Sequence, residues 1–248
     1  MNDSSGFKES FQNRQFMTTR WSVVLSAGEE GPDSRNALEE LCQAYWYPLY
    51  RFVRTKGFES DQAADITQGF FALLLERHDF ENLKQEKGRF RSFLLASIKN
   101  YIANEREKMS AQKRGGAVKT FSIDVDDAEK KFQLDSGDDT SPDNAFERTW
   151  ALTLLQQVQV KLKQEYSSNE KQKLFEKIAS FLGGSSPDLP TYQQVAQELE
   201  MTESAVKVNV HRMRKQFRKL LRDEISNTVA TEQEIDQELN EMFSVLSQ

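Results

Sequence analysis

The stretch TYQQVAQELEMTESAVKVNVHRMRKQFRKLLRDEI, Thr191 to Ile225, decides how the rest of the chain is read. Val195, Ala196 and Leu199 lie on one side of a short helix, and small Ala196 lets a following helix cross closely. Glu200-Met201 forms the turn, Met201 plugs the angle between the helices, and Thr202 is a natural N-cap for the second helix. From Glu203 that helix runs about twenty residues, roughly 30 Å, and sets Val206, Val210, Met213 and Phe217 on one face. Between Ala205 and Arg222 it carries seven Lys or Arg and no acid. A short helix, a tight turn and a capped longer helix with a basic outer face make a helix-turn-helix, the second helix entering the major groove and its basic end lying along phosphates. Thr202, Ser204, Lys207, His211, Arg212 and Lys215 are the expected DNA contacts. A basic helix face is most often only solvated, but the chain as a whole has net charge -6, and cations segregated against that balance favour a nucleic-acid surface.

Working outward, 248 residues with 38% hydrophobic and 29% charged suit one large or two small soluble domains. Gly and Pro are scarce, at 11 and 5, and alternating patterns are rare, so the expected fold class is all-α. No apolar run approaches the roughly 20 residues of a membrane span, and the first residues lack a signal-peptide pattern. Membrane insertion is therefore not expected, and a cytoplasmic location is. The single Cys42 cannot form an internal disulfide, and two histidines with one cysteine leave no zinc site of His/Cys type. Neither a metal, a cofactor nor a catalytic residue is expected; an enzyme using Asp61 and Asp65 with a metal ion is a remote rival.

Ahead of the helix-turn-helix, helical spacing runs from Asn36 through Leu38, Leu41, Tyr45, Leu49 and Phe52, with a kink or break expected at Pro48. A turn at Lys56–Ser60 leads to a second helix, to about Arg77, and a third follows from Arg89 to about Lys108. Lys84 to Arg114 holds nine bases and three acids with Phe90, Phe93 and Tyr101 interleaved. Basic groups can track a phosphate backbone, and aromatics or amides can receive unstacked bases; for Phe93 a place in the core is the simpler reading. Arg89, Arg91, Lys99, Asn100 and Asn104 are the expected contacts here. Phe121 to Asp143 then holds eight acids against two lysines and reads as a flexible linker. The expected organisation is an extension at 1–35, a helical bundle at 36–114, an acidic linker at 115–142, the helix-turn-helix domain at 143–225 and an acidic amphipathic tail at 226–248.

YQQVAQELEMTESAVKVNVHRMRKQFRKLL resembles the region-four helix-turn-helix of RNA polymerase sigma factors of the extracytoplasmic-function (ECF) group, with Val206-Lys207, His211-Arg212 and Arg214-Lys215 on the matching positions. A response-regulator DNA-binding domain shares that fold, and the first domain decides between them. YWYPLYRFVRTKGFESDQAADITQGFF resembles sigma region two, and FRSFLLASIKNYIANEREK resembles the segment that opens the minus-ten element. Asp65 and Gln68 fall on positions that the resemblance assigns to polymerase docking, Phe93 stands where Trp is common, and Lys99-Asn100 match an Arg-Asn pair. Two positions depart from pattern: Gly69 where the family has Glu, and Glu200 where such turns often use Gly. The resemblance implies two helical domains, core RNA polymerase and promoter DNA as partners, an anti-sigma factor as a further one, and an acidic linker threading toward the polymerase active-site channel. The rival functions are a stand-alone helix-turn-helix regulator and a sigma mimic that titrates an anti-sigma factor. The tail, with Ile235, Leu239, Met242 or Phe243, and Leu246 on one side, is expected to pack on a domain, cap a basic surface or bind a regulator.

Overall fold

A computed structural model describes residues 32–76, 90–111, 125–134, 141–183, 189–226, 229 and 231–247. Among them the chain is all helix, without strands: α1 (Pro32–Thr55), α2 (Ser60–Glu76), α3 (Phe90–Ala111), α4 (Val125–Leu134), α5 (Pro142–Ser168), α6 (Gln172–Ile178) with a 3-10 turn at Ala179–Gly183, α7 (Tyr192–Glu198), α8 (Glu203–Ser226) and α9 (Glu232–Leu246). Thr18 or Thr19 could also cap a helix running through Trp21, Val24 and Leu25, a stretch that lies outside the described residues. The chain divides into two compact units, Met1–Thr153 with Ile225–Gln248, and Leu154–Glu224. The division falls inside α5, and the tail belongs with the first unit.

In the first unit α1 supplies Leu49, Tyr50, Phe52 and Val53, α2 supplies Ala63, Phe70 and Leu74, and α3 supplies Phe90, Leu94, Ile98 and Ile102, all buried. Aromatic edges lock these faces: Tyr45 meets Phe90 at 5.3 Å and Phe52 meets Phe146 of α5 at 6.5 Å, both near perpendicular. In place of the break expected at Pro48, α1 continues to Thr55; the missing proline N–H costs one hydrogen bond, and burial of Leu49, Tyr50 and Phe52 on the same helix outweighs it. α1 ends at Gly57, whose φ of +88° suits glycine and whose N–H donates to the Arg54 carbonyl at 2.9 Å.

The acidic segment expected to be flexible contains the ten-residue α4. Its Ala128 is buried, and Glu129 accepts from Arg54 twice, at 2.8 and 3.1 Å, and from the Tyr50 hydroxyl at 2.6 Å. Arg54 also lies over the Phe132 ring at 4.5 Å. Low overall hydrophobicity predicts disorder, but one bidentate carboxylate–guanidinium pair and a cation–π contact hold this turn of chain.

α9 starts on a reciprocal cap, Thr231 with Glu234, and buries Ile235 and Met242 in the first unit. In the second unit Leu162, Tyr166, Phe175, Ile178, Phe181, Val195, Ala196, Val206, Val210 and Met213 form one core.

Candidate nucleic-acid interface

The helix-turn-helix is built from its backbone outward. Thr191 caps α7 by a capping box: its Oγ1 accepts from Gln194 N–H at 3.2 Å while its own N–H donates to Gln194 Oε1 at 2.8 Å. α7 ends in a Schellman arrangement, with Met201 N–H on the Ala196 carbonyl at 2.9 Å and Glu200 N–H on the Gln197 carbonyl at 3.3 Å. Glu200 has φ +53°. The left-handed conformation for which glycine is preferred is thus taken up by a glutamate. Thr202 then caps α8, accepting from Ala205 N–H at 3.2 Å. Met201, expected between the helices, is exposed; Val195, Ala196, Val206 and Val210 fill that angle instead.

Core packing fixes which face of α8 is outward. With Val206, Val210 and Met213 buried, Ser204, Lys207, His211, Arg212, Lys215, Arg218 and Lys219 are left outside the core. Lys207 reaches Glu203 one turn back at 2.6 Å and lies 5.7 Å from the Tyr192 ring; its ammonium pKa is raised, first by the hydrogen bond to Glu203 and then by that carboxylate's charge. Arg214 belongs to the same basic run but turns inward, donating to the Phe181 carbonyl at 2.7 and 3.1 Å. Phe181 itself stacks on Tyr192 at 4.8 Å. Arg214 therefore clamps the 3-10 turn to α8.

The residues expected to contact DNA in the first unit are dispersed. Asn100 and Asn104 are exposed on α3, opposite the buried Leu95 and Ile98. Lys99 lies at the surface and pairs with Asp143 at 2.6 Å. Arg91 faces the other way: it is 4% exposed, meets Glu147, Glu238 at 2.5 Å and Glu241 at 2.9 Å, and lies 4.6 Å over the Trp150 ring. The face of α3 that carries it is the packed one, shared with Leu95, Ile98 and Ile102, so it is not displayed with Asn100 and Asn104. Arg89 lies outside the described residues. Phe93, placed in the core by the simpler reading, is half-buried and stacked with Phe90 at 6.2 Å.

Of the two positions assigned to docking, Asp65 is exposed on α2 and Gln68 is buried. Next to them Gly69 makes a notch: a Cβ there would stand 2.5 Å from the Tyr101 hydroxyl. Any side chain at this position would have to displace the α3 tyrosine. Tyr101 ionises above its ordinary range, first because of burial and then because of nearby Glu105.

In the α4 cluster, burial works against charge on Glu129, yet the hydrogen bonds from Tyr50 and Arg54 and the Arg54 charge hold its carboxyl below the usual range. Burial, and then the bond to Glu129, push the Tyr50 phenol up to about 12. Sequence reasoning missed the buried Arg51, which donates to Thr149 at 2.8 Å, and Glu238. The signal for Glu238 is periodic: it is three residues after Ile235 and four before Met242, a charge on the apolar stripe of α9.

Among the described residues no group of three or more His, Cys, Asp or Glu could hold a metal ion, and no helix is long and apolar enough to cross a membrane. Comparisons with curated proteins and with solved structures returned no match. Residues 21–223 match the family described as ECF sigma factor. Covering most of the chain and both units, that match shows that the protein belongs to the ECF sigma factor family, the DNA-binding factors of transcription initiation.

Proposed function

We propose that this sigma factor joins core RNA polymerase through the first unit and directs it to promoters, with α8 reading the minus-thirty-five element and the Asn100–Asn104 side of α3 meeting the opened minus-ten element. The observation that carries the reading is the division of α8 into a packed apolar face and an outward face bearing Ser204, Lys207, His211, Arg212 and Lys215. Nothing in the fold of the second unit uses those side chains as core, and cations along an accessible helix suit phosphate and base edges. Asp65 is the better docking candidate of the pair, because it is exposed while Gln68 is packed.

The test is reconstitution with core RNA polymerase. Asp65→Lys should weaken complex formation at least ~10-fold, the loss of one charge-assisted contact at an interface, without lowering the unfolding temperature. Lys207→Glu with Arg212→Glu should leave complex formation intact and abolish promoter-directed transcription. Binding to DNA but not to polymerase would establish the stand-alone regulator; binding to neither would favour the sigma mimic.

A further inference from the structure

The outward face of α8 carries one exposed aliphatic side chain among its polar and basic ones. Val208 is 48% exposed. It stands two residues from both Val206 and Val210, about 160° round the helix from each, so the core cannot reach it. Its neighbours on the outward side are Ser204 and Arg212, four residues away, and His211, three away.

The residues beside it in sequence are tied down. Lys207 leans back to Glu203, and Asn209 donates to the Ala205 carbonyl at 2.9 Å. That leaves Val208 with its two methyl groups projecting from the second turn of the helix, the part of a recognition helix that enters the groove. Within a hydrated major groove an isolated branched apolar side chain has one alkyl partner, the C5-methyl of thymine; cytosine and both purines present no alkyl group there.

We infer that Val208 is a specificity-determining residue: it selects an A·T pair in the bound duplex by apolar contact with the thymine methyl, between the polar contacts of Ser204 and Arg212. This deepens the reading of α8 given above and rests on it.

Uracil differs from thymine by that methyl alone, which makes the assignment testable. The full chain, in complex with core RNA polymerase, selects duplexes from a pool with a random central segment. Each thymine of the selected duplex is then replaced singly by deoxyuridine, and affinity is measured with the wild-type chain and with Val208→Ala. The expected result is one thymine whose replacement weakens wild-type binding roughly fourfold, the burial of about one methyl group, and leaves Val208→Ala binding unchanged. The variant should also tolerate the other base pairs at that position.

If every thymine is insensitive to loss of its methyl, or if Val208→Ala keeps the same sensitivity, the Val208 assignment is overturned while the sigma reading stands. If the complex, or the chain alone where no complex forms, selects no sequence, the reading of α8 and this assignment fall together.

Discussion

Arg91 on α3 and Arg212 on α8 occupy similar stretches of sequence, each in a basic run on a long helix, and the fold uses them in opposite ways. Arg91 is enclosed by Glu147, Glu238 and Glu241 and stacked on Trp150. Arg212 is exposed, with no ion pair among the described residues. Local density of positive charge says that cations are present. The face on which each one sits decides whether it holds the protein together or meets a ligand.

The largest effect should come from removing the two charges in turn. Arg91→Met takes the guanidinium away from Glu238, 1% exposed, and breaking a buried ion pair by removing one side typically costs about 3–5 kcal/mol. It should also loosen α9, seen as faster amide exchange across Glu232–Leu246. Arg212→Met should change stability by no more than about 0.5 kcal/mol while lowering DNA affinity and the steepness of its salt dependence. Denaturant unfolding of both variants decides the matter. Equal stabilities would break the contrast, and a rescue of Arg91→Met by Glu238→Gln would sharpen it.

That contrast also marks how much the sequence reveals. The all-α class, the helix-turn-helix and the outward set on α8 are legible because one amphipathic pattern, one cap at Thr202 and one charge run agree on the same helix. α3 is legible as a helix, but the count of its bases does not separate its faces. Periodicity alone places Arg91 with Leu95, Ile98 and Ile102 and away from Asn100. Its three carboxylate partners come from α5 and α9, 56 or more residues distant in the chain, and no local pattern announces such a meeting. The ordering of α4 is hidden for the same reason: Glu129 depends on Tyr50 and Arg54, whereas its own surroundings in sequence are those of a disordered acidic segment. Arg214 shows the limit within a single run, since the carbonyl it grips belongs to Phe181.

A second comparison of the two units concerns glycine. In the first, Gly69 gives way to Tyr101 of α3. Gly→Ala inside a helix ordinarily gains about 1 kcal/mol, but here the added Cβ would meet the Tyr101 hydroxyl at 2.5 Å, and crowding of that kind costs about 1–3 kcal/mol. Gly69→Ala should therefore destabilise by about 1 kcal/mol, the difference of those two effects. In a Tyr101→Phe background the nearest atom is the ring carbon at 3.6 Å, ordinary contact, and the same substitution should stabilise. Thermal melts of the four chains in this cycle give the coupling; strict additivity would mean that Tyr101 does not set the notch.

In the second unit glycine is absent where backbone conformation favours it. Glu200, with φ +53°, ends α7, and Glu170, with φ +57°, ends α5 in the same manner: Lys171 N–H bonds the Tyr166 carbonyl at 2.8 Å and Glu170 N–H the Ser167 carbonyl at 3.1 Å. A side chain in the left-handed region costs about 1–2 kcal/mol, part of which glycine returns as entropy of the unfolded chain. Glu170→Gly and Glu200→Gly should each stabilise by about 0.5–1 kcal/mol in denaturant unfolding. Only Glu200 stands between the two helices of the DNA-reading motif, so polymerase-dependent promoter binding distinguishes the pair. Unchanged binding in both would mean that the Schellman hydrogen bonds and the Val195–Val206 core aim α8 by themselves. Weaker binding in Glu200→Gly alone would mean that the glutamate, by restricting the turn, holds the recognition helix at its working angle and offsets its own strain through function.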